Sequence, residues 1–367
     1  MSKKILIIFL GNPLYDGRCM NMINQLSNTN QKLYCLGVGE KYEDIKNKDL
    51  NIELMAKSQF QNTLTKYFNF FKKVKKSITK INPDIIIAAD LYSMIPAAKL
   101  KKRNNYILIY DSRELYTKLG GLRNKPIIQF VWNYYEKKYI YKADCTLVTA
   151  DIDKNYLINL YGKIKIKLFK NLPGNHFLNS KTFDLKKELC LSQNNKILLY
   201  QGKLHYGRGI RFVLKCMKDI KDVVLVIIGD GPMKEVYIKL AQTYKLEDRL
   251  YFIDAVPYLD LAKYSSSAHI GLSVIQPISK SYENALPNKL FEYTVSGLPF
   301  ICSNLNAMQE AVNDLGSGIA IQHDNHGEFI NAYKKINANY NDFVIDEEKK
   351  KSLLWNQNNN LSDIFNE

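Results

Sequence analysis

Short apolar runs alternate with longer amphipathic stretches through the first half of the chain: residues 5–10, 33–38, 85–88, 106–110, 145–148 and 164–169 are rich in Ile, Leu and Val at successive positions. A strand with one wet face alternates apolar and polar, whereas a strand covered on both faces is apolar throughout. Runs of the second kind, separated by helix-length spacers, predict buried parallel strands in βαβ units. The rhythm stops at Asn171-Leu172-Pro173-Gly174-Asn175, a loop signature, and restarts with 197–200, 223–228, 250–253, 269–274 and 298–302. The pattern predicts an α/β protein of two facing Rossmann-like doubly wound domains, residues 1–175 and 176–345, with a linker near 172–190. In open parallel sheets ligands bind beyond the carboxyl ends of the strands, which places the expected active site in the inter-domain cleft.

Composition agrees with a folded, two-domain chain: 367 residues, 46% apolar and 24% charged. No run approaches the roughly 18 apolar residues of a membrane span, and the apolar stretch 5–10 is too short for a signal segment, so the expected location is cytoplasmic. The six cysteines lie far apart with no CxxC pair and read as reduced core thiols. Charge changes the picture more. Residues 1–180 carry 30 Lys and Arg against 14 Asp and Glu, while 181–367 carry 22 against 22, so the whole net charge of +16 sits in the first half. Codon drift would load both halves alike; the asymmetry points to an anionic partner of the first half.

In the second half, the strand at 197–200 runs into Gln201-Gly202-Lys203-Leu204-His205-Tyr206-Gly207-Arg208-Gly209. Glycines Gly202 and Gly209 let backbone approach a ligand, and Lys203 and Arg208 could grip a diphosphate, although a tight turn with solvated cations has the same sequence. Further on, Glu283-Asn284-Ala285-Leu286-Pro287-Asn288-Lys289-Leu290-Phe291-Glu292-Tyr293 predicts a helix with Pro287 in its first turn, running to about Ser296. Its first-turn N–H groups with Lys289 would make an anion site, and Glu292, one turn in, could accept hydrogen bonds from two vicinal hydroxyls. The set "G-K-L-x4-R-G", "IIGDGP" and "LPNKLFEY-x3-G-L-P" resembles the nucleotide-sugar-binding domain of GT-B glycosyltransferases, specifically the retaining glycosyltransferase family 4. The resemblance implies that Lys203 and Arg208 hold the donor diphosphate and Glu292 the donor ribose. It also implies an acidic residue at position 284, where this chain has Asn284 with Glu283 one place early. Either Asn284 takes that role with its amide or the loop presents Glu283. The resemblance further implies that residues 346–367 form a C-terminal helix crossing back to the first domain, anchored by Trp355.

In the first half, Gly11-Asn12-Pro13-Leu14-Tyr15-Asp16-Gly17-Arg18 leads into a helix around 20–26, and Gly11, Asn12, Asp16, Gly17 and Arg18 are candidates for a cleft loop as well as for an ordinary surface turn. Asp111-Ser112-Arg113-Glu114 resembles the family's D-x-H-E segment near the reacting carbon, with Arg113 in place of histidine. Asp111, Arg113 and Glu114 with Asn284 are the catalytic candidates. No histidine precedes residue 176, so a base would have to be Asp16, Asp90, Asp111 or Glu114. A same-face displacement needs no such base, which favours retention. The stretch from Lys66 to Lys80 sets Tyr67, Phe70, Phe71, Val74 and Ile78 at helical spacing among lysines, the pattern of an interfacial helix on anionic lipid and equally of a βαβ helix with a Lys-rich wet face.

The reading is a nucleotide-sugar-dependent glycosyltransferase. Its partners are a nucleoside-diphosphate sugar and a saccharide or lipid-linked acceptor, its setting is cell-surface polysaccharide or glycolipid synthesis, and it sits peripherally at the inner face of the cell membrane. No metal motif or cofactor is expected, since lysine and arginine can neutralise the diphosphate. The alternatives are a nucleotide-sugar 2-epimerase of the same fold and a nucleic-acid binder, the latter without a recognition motif.

Overall fold

The computed structural model describes residues 2–39, 50–56, 63–118, 122, 124–178 and 183–365. Contacts divide the chain into Met1–Asn171 with Asn358–Glu367, and Leu172–Gln357. The boundary expected after residue 175 therefore falls after Asn171. Residues 179–182 of the linker expected near 172–190 lie outside the described residues.

The first unit is a parallel sheet of β1 (Lys4–Ile8), β2 (Lys32–Val38), β3 (Leu50–Met55), β4 (Ile85–Ala88), β5 (Ile107–Asp111), β6 (Cys145–Val148) and β7 (Ile166–Leu168), ordered 3-2-1-4-5-6-7. The order reverses between β1 and β4, paired in register Ile5 to Ile85 and Ile8 to Ala88. These central strands are buried on both faces, as continuous apolar runs require. The run 5–10 closes as a strand at Ile8, and β3 was not expected from the sequence: it is an edge strand whose Asn51 and Glu53 face water, so its apolar pattern is broken.

The helix Thr63–Ile81 corrects the interfacial reading of its apolar stripe. Phe70, Val74 and Ile78 are fully buried in the core against the sheet and the helix Leu91–Leu100, because a crossover helix must spend its apolar face on the strands it connects. Its exposed face is mostly lysine, with Phe68 as the exposed apolar residue among them.

The second unit is a parallel sheet of β8 (Lys196–Gln201), β9 (Val223–Ile228), β10 (Leu250–Ile253), β11 (Ile270–Ser273), β12 (Phe300–Ser303) and β13 (Gly318–Ile321), ordered 10-9-8-11-12-13, with its reversal between β8 and β11. The short edge strand β13 is the one here that the apolar runs did not predict.

The C-terminal segment is three short helices, Glu347–Ser352, Trp355–Asn358 and Ser362–Phe365, instead of one. Trp355 is buried in the second unit, where its N–H donates to the Pro173 carbonyl at 2.8 Å, so it does not anchor the segment on the first. That anchoring falls to later residues. Gln25 Nε2 donates to the Asn359 carbonyl at 2.6 Å, Asn359 Nδ2 to the Lys170 carbonyl at 3.0 Å, and Leu361 and Ile364 are buried.

Five of the six cysteines are buried, Cys190 is exposed, and all are free thiols. No helix among the described residues is long and apolar enough to cross a membrane.

Candidate functional site

At the reversal point of the second sheet, β8 ends in Gln201 and the chain turns through Gly202 with φ +130°. The turn continues to Gly209, whose φ of +72° opens the helix Ile210–Cys216; a Cβ there would sit 2.0 Å from the Val274 carbonyl oxygen, so only glycine fits. Tyr200 ties the turn back by donating its hydroxyl to the Lys203 carbonyl at 3.0 Å. Lys203 is exposed. Arg208 is half-buried, with its guanidinium 4.7 Å from the Tyr282 ring centre and a buried Nε that no acceptor meets.

From the other side of the reversal point comes the turn Leu286-Pro287-Asn288. Pro287 lies two residues before the helix Lys289–Val295 instead of opening it, its carbonyl accepting from Leu290 N–H; the Asn288 carbonyl accepts from Glu292 N–H at 3.0 Å. Lys289 projects back over the Tyr200 ring, its Nζ 3.9 Å from the centre and beside Gly202. Lys203, Arg208 and Lys289 thus converge on one glycine turn, and among the described residues none of the three makes an ion pair. Burial, with the Arg208 charge adding to it, pushes the Lys289 ammonium down to about 7. His205 is lowered by burial and then by Arg208 and Lys203. The turn concentrates positive charge at the end of β8.

Glu292 is 5% exposed, beside Lys289. Its Oε2 accepts from Gln201 Nε2 at 2.6 Å, and Gln201 Oε1 accepts from the Ser265 hydroxyl at 2.9 Å. Burial pushes the carboxyl up to about 7 against the pull of the Gln201 amide, Lys289 and the Tyr258 hydroxyl. The holders Gln201, Ser265 and Tyr258 were not singled out in the sequence. Gln201 was visible at the strand end, but no spacing links it to positions 258 and 265. Asn284 and Glu283 follow one another at the end of the short helix Lys280–Glu283, both half-buried, and Leu286 packs against the core.

Glu292 carries a pH signature. A carboxyl raised in the fold binds a proton between its ordinary value and about 7 that the unfolded chain does not, so it costs stability progressively as pH rises through that window. Glu292→Gln removes this cost. The variant should match wild type near pH 4.5, be the more stable of the two at pH 8 by thermal denaturation, and raise the KM for donor. An early-melting variant with unchanged donor KM would make Glu292 purely structural.

In the first unit the candidate residues form a different object. Asp16 caps the helix Gly17–Ser27, which starts earlier than the expected 20–26, by accepting from Cys19 N–H at 2.8 Å. Asn12 accepts from Leu14 N–H, and Gly11 packs so closely that a Cβ would meet the Phe9 ring at 2.6 Å. Arg18 is 2% exposed: its Nε meets both Asp111 oxygens at 2.9 Å, and its other end donates to the Phe169 carbonyl at 2.6 Å. Arg113 closes the set, donating to Asp111 at 3.0 Å and to Asp16 at 2.5 Å. Burial raises the Asp16 carboxyl, but the Arg113 guanidinium and the Cys19 N–H outweigh it and hold it below its ordinary value. Asp90, buried at the β4 end, accepts from Leu10 and Ser93 N–H, both at 2.6 Å. Arg18, Asp111, Arg113 and Asp16 are therefore one internal ion network that pins the β1 and β5 loops together, while Glu114 is exposed. The reading of Asp111 as a chemical group at the reaction centre is not what this geometry offers.

Two doubly wound parallel sheets, one with a cationic turn at its reversal point, define an α/β protein of the kind in which ligands bind beyond the carboxyl ends of the strands. Residues 182–352 match the family model described as glycosyl transferases group 1. The O-antigen biosynthesis glycosyltransferase WclY of Escherichia coli is 23% identical over 239 residues, which cover 64% of this chain and 62% of the relative, so the chain spans less than two thirds of that protein. Among solved structures, sucrose-phosphate synthase of Thermosynechococcus elongatus is similar with a TM-score of 0.77 at 18% identity, over 97% of this chain and 96% of that one. Anabaena Alr3699/HepE in complex with UDP-glucose is similar with a TM-score of 0.69 at 13% identity, over 97% and 93%. The fold is GT-B, and the second unit is the part of the chain that matches the glycosyl transferases group 1 model.

Proposed function

We propose that the second unit binds a nucleoside-diphosphate sugar and that the chain transfers the sugar to a saccharide or lipid-linked acceptor in cell-surface polysaccharide synthesis, the setting in which WclY is named. The observation that carries this is the convergence of Lys203, Arg208 and Lys289, without a carboxylate partner, one helical turn from a buried carboxylate held open by Gln201. Arginine supplies a fork for two phosphate oxygens, lysine a point charge, and Glu292 accepts from the ribose hydroxyls. In this reading Asn284 or Glu283 meets the sugar. The three cations supply the charge that a divalent ion would otherwise bring, so activity should survive a chelator.

The bond from the anomeric carbon to the diphosphate oxygen breaks, and the acceptor oxygen takes its place. We propose retention, with the departing phosphate oxygen taking the acceptor's proton: Asp16, Asp90 and Asp111 each have oxygens committed to arginines or backbone N–H groups, so that among the four candidate bases Glu114 is the one an inverting route would use. Nuclear magnetic resonance of the product made from a panel of UDP-, GDP- and ADP-sugars tests the assignment through its anomeric configuration. Donor incubated alone should stay unchanged, whereas a 2-epimer appearing in that tube would show the epimerase reaction instead.

Binding should also move a proton. At pH 8 free Lys289 is mostly neutral and Glu292 mostly ionised, so the arriving diphosphate charges Lys289. Calorimetry of UDP in two buffers of different ionisation enthalpy should register uptake of about one proton at pH 8 and affinity falling as pH rises above 7. Lys289→Met should abolish the uptake; an unchanged uptake would remove Lys289 from the site.

A further inference from the structure

In the first unit the helix Pro126–Tyr139 shows solvent an apolar face that the fold does not use. Ile127 is 78% exposed, Phe130 71%, Tyr134 52%, Ile128 41% and Val131 39%, while Trp132 and Tyr139 on the opposite side are in the core. Phe68, 70% exposed, lies on the adjacent helix Thr63–Ile81, whose Tyr67 meets the Trp132 ring at 5.1 Å between centres. Scattered single apolar residues on a surface need no account, but five on one face of two helical turns do.

The surroundings say what covers them. The layer formed by Thr63–Ile81, Leu91–Leu100 with its following loop, and Pro126–Tyr139 with its flanks carries fourteen Lys and Arg over 63–81, 91–106 and 125–142. It carries one carboxylate, Glu136, which is buried and takes hydrogen bonds from Tyr110 and Tyr161. Among the described residues Lys73 pairs with Glu53 and Lys101 with Asp144, both from outside the layer. Lys99, Lys138 and Lys142 stand around the Tyr139 ring at 5.1–5.9 Å, next to the apolar turns. A second copy of so basic a face would be repelled. A nucleic acid would match the charge but has no use for Ile127 and Phe130. A surface with phosphate heads outside and hydrocarbon beneath matches both.

We infer that the helix Pro126–Tyr139, and not the Thr63–Ile81 stripe, is the membrane-contacting element of this protein, inserting Ile127, Phe130 and their neighbours among anionic lipids while the lysine layer lies on the head groups. The inference does not use the donor site, so UDP affinity serves as an independent check that variants are folded. The test is co-sedimentation of the full chain with vesicles of POPC alone or of equimolar POPC and POPG. Wild type should bind the mixed vesicles and not the neutral ones, and about 0.5 M salt, where the Debye length is about 4 Å, should weaken the binding. The double variant Ile127→Ser/Phe130→Ser should lose at least about tenfold in partitioning, and Lys99→Gln/Lys138→Gln/Lys142→Gln should lose most of the salt-sensitive part, both with wild-type UDP affinity. Wild type failing to bind mixed vesicles, or the serine variant binding as wild type does, would overturn the assignment. So would a wild-type dimer in sedimentation velocity that the serine variant dissolves, or duplex DNA binding that outcompetes the vesicles.

Discussion

Asp111→Ala should destabilise the first unit by about 3–5 kcal/mol, the largest effect expected of any single change in the chain. Asp111 is fully buried and is the shared counter-ion of Arg18 and Arg113. Taking it away leaves Arg18, 2% exposed, as a buried guanidinium without the Asp111 carboxylate that meets it at 2.7 Å. Asp111→Asn keeps the shape and some hydrogen bonds and should fall between. The two tryptophans make the measurement clean, since Trp132 lies in the first unit and Trp355 in the second. In a Trp355→Phe background, urea unfolding followed by fluorescence reports the first unit alone. A loss below about 1 kcal/mol together with abolished transfer would return Asp111 to the chemistry.

Arg208→Ala and Lys289→Ala should each weaken nucleoside-diphosphate binding by about 1.5–3 kcal/mol, roughly 10- to 150-fold, because each removes a charge-assisted contact in a poorly solvated turn. Lys203→Ala should cost less, near 1 kcal/mol, since its exposed ammonium acts through water and is screened by salt. Neither of the larger changes should lower stability. Lys289 is a half-buried cation whose charge is disfavoured by desolvation, and Arg208 Nε is already without an acceptor. Affinity lost and stability kept is the mark of a residue that works on the ligand.

The central strands were legible because a strand covered on both faces must be apolar along its buried length, as β4 and β9 are throughout and β1 and β8 are inside their polar end residues. The edge strands β3 and β13 were not, since half their side chains meet water or are too few to make a run. Arg208 and Glu292 could be picked out because glycines and a proline mark the turns around them. Gln201, Ser265 and Tyr258 could not, because what joins them to Glu292 is a hydrogen-bond network between separate elements. The network in the first unit shows the opposite failure. Asp16, Arg18, Asp111 and Arg113 looked like a reactive set, but charge in a sequence does not say whether it faces a substrate or another side chain. Likewise the lysine-rich stretch 66–80 drew attention away from Ile127 and Phe130, whose exposure no periodicity disclosed.

The claim that the turn around Gly202 is a diphosphate site is tested most directly by calorimetric titration of wild type and Arg208→Ala with UDP, GDP and ADP, and with the matching monophosphates. The account predicts that at least one diphosphate binds at micromolar concentrations and about tenfold or more tighter than its monophosphate, and that Arg208→Ala removes that difference. No binding by any diphosphate, or equal affinity in wild type and variant, would contradict it.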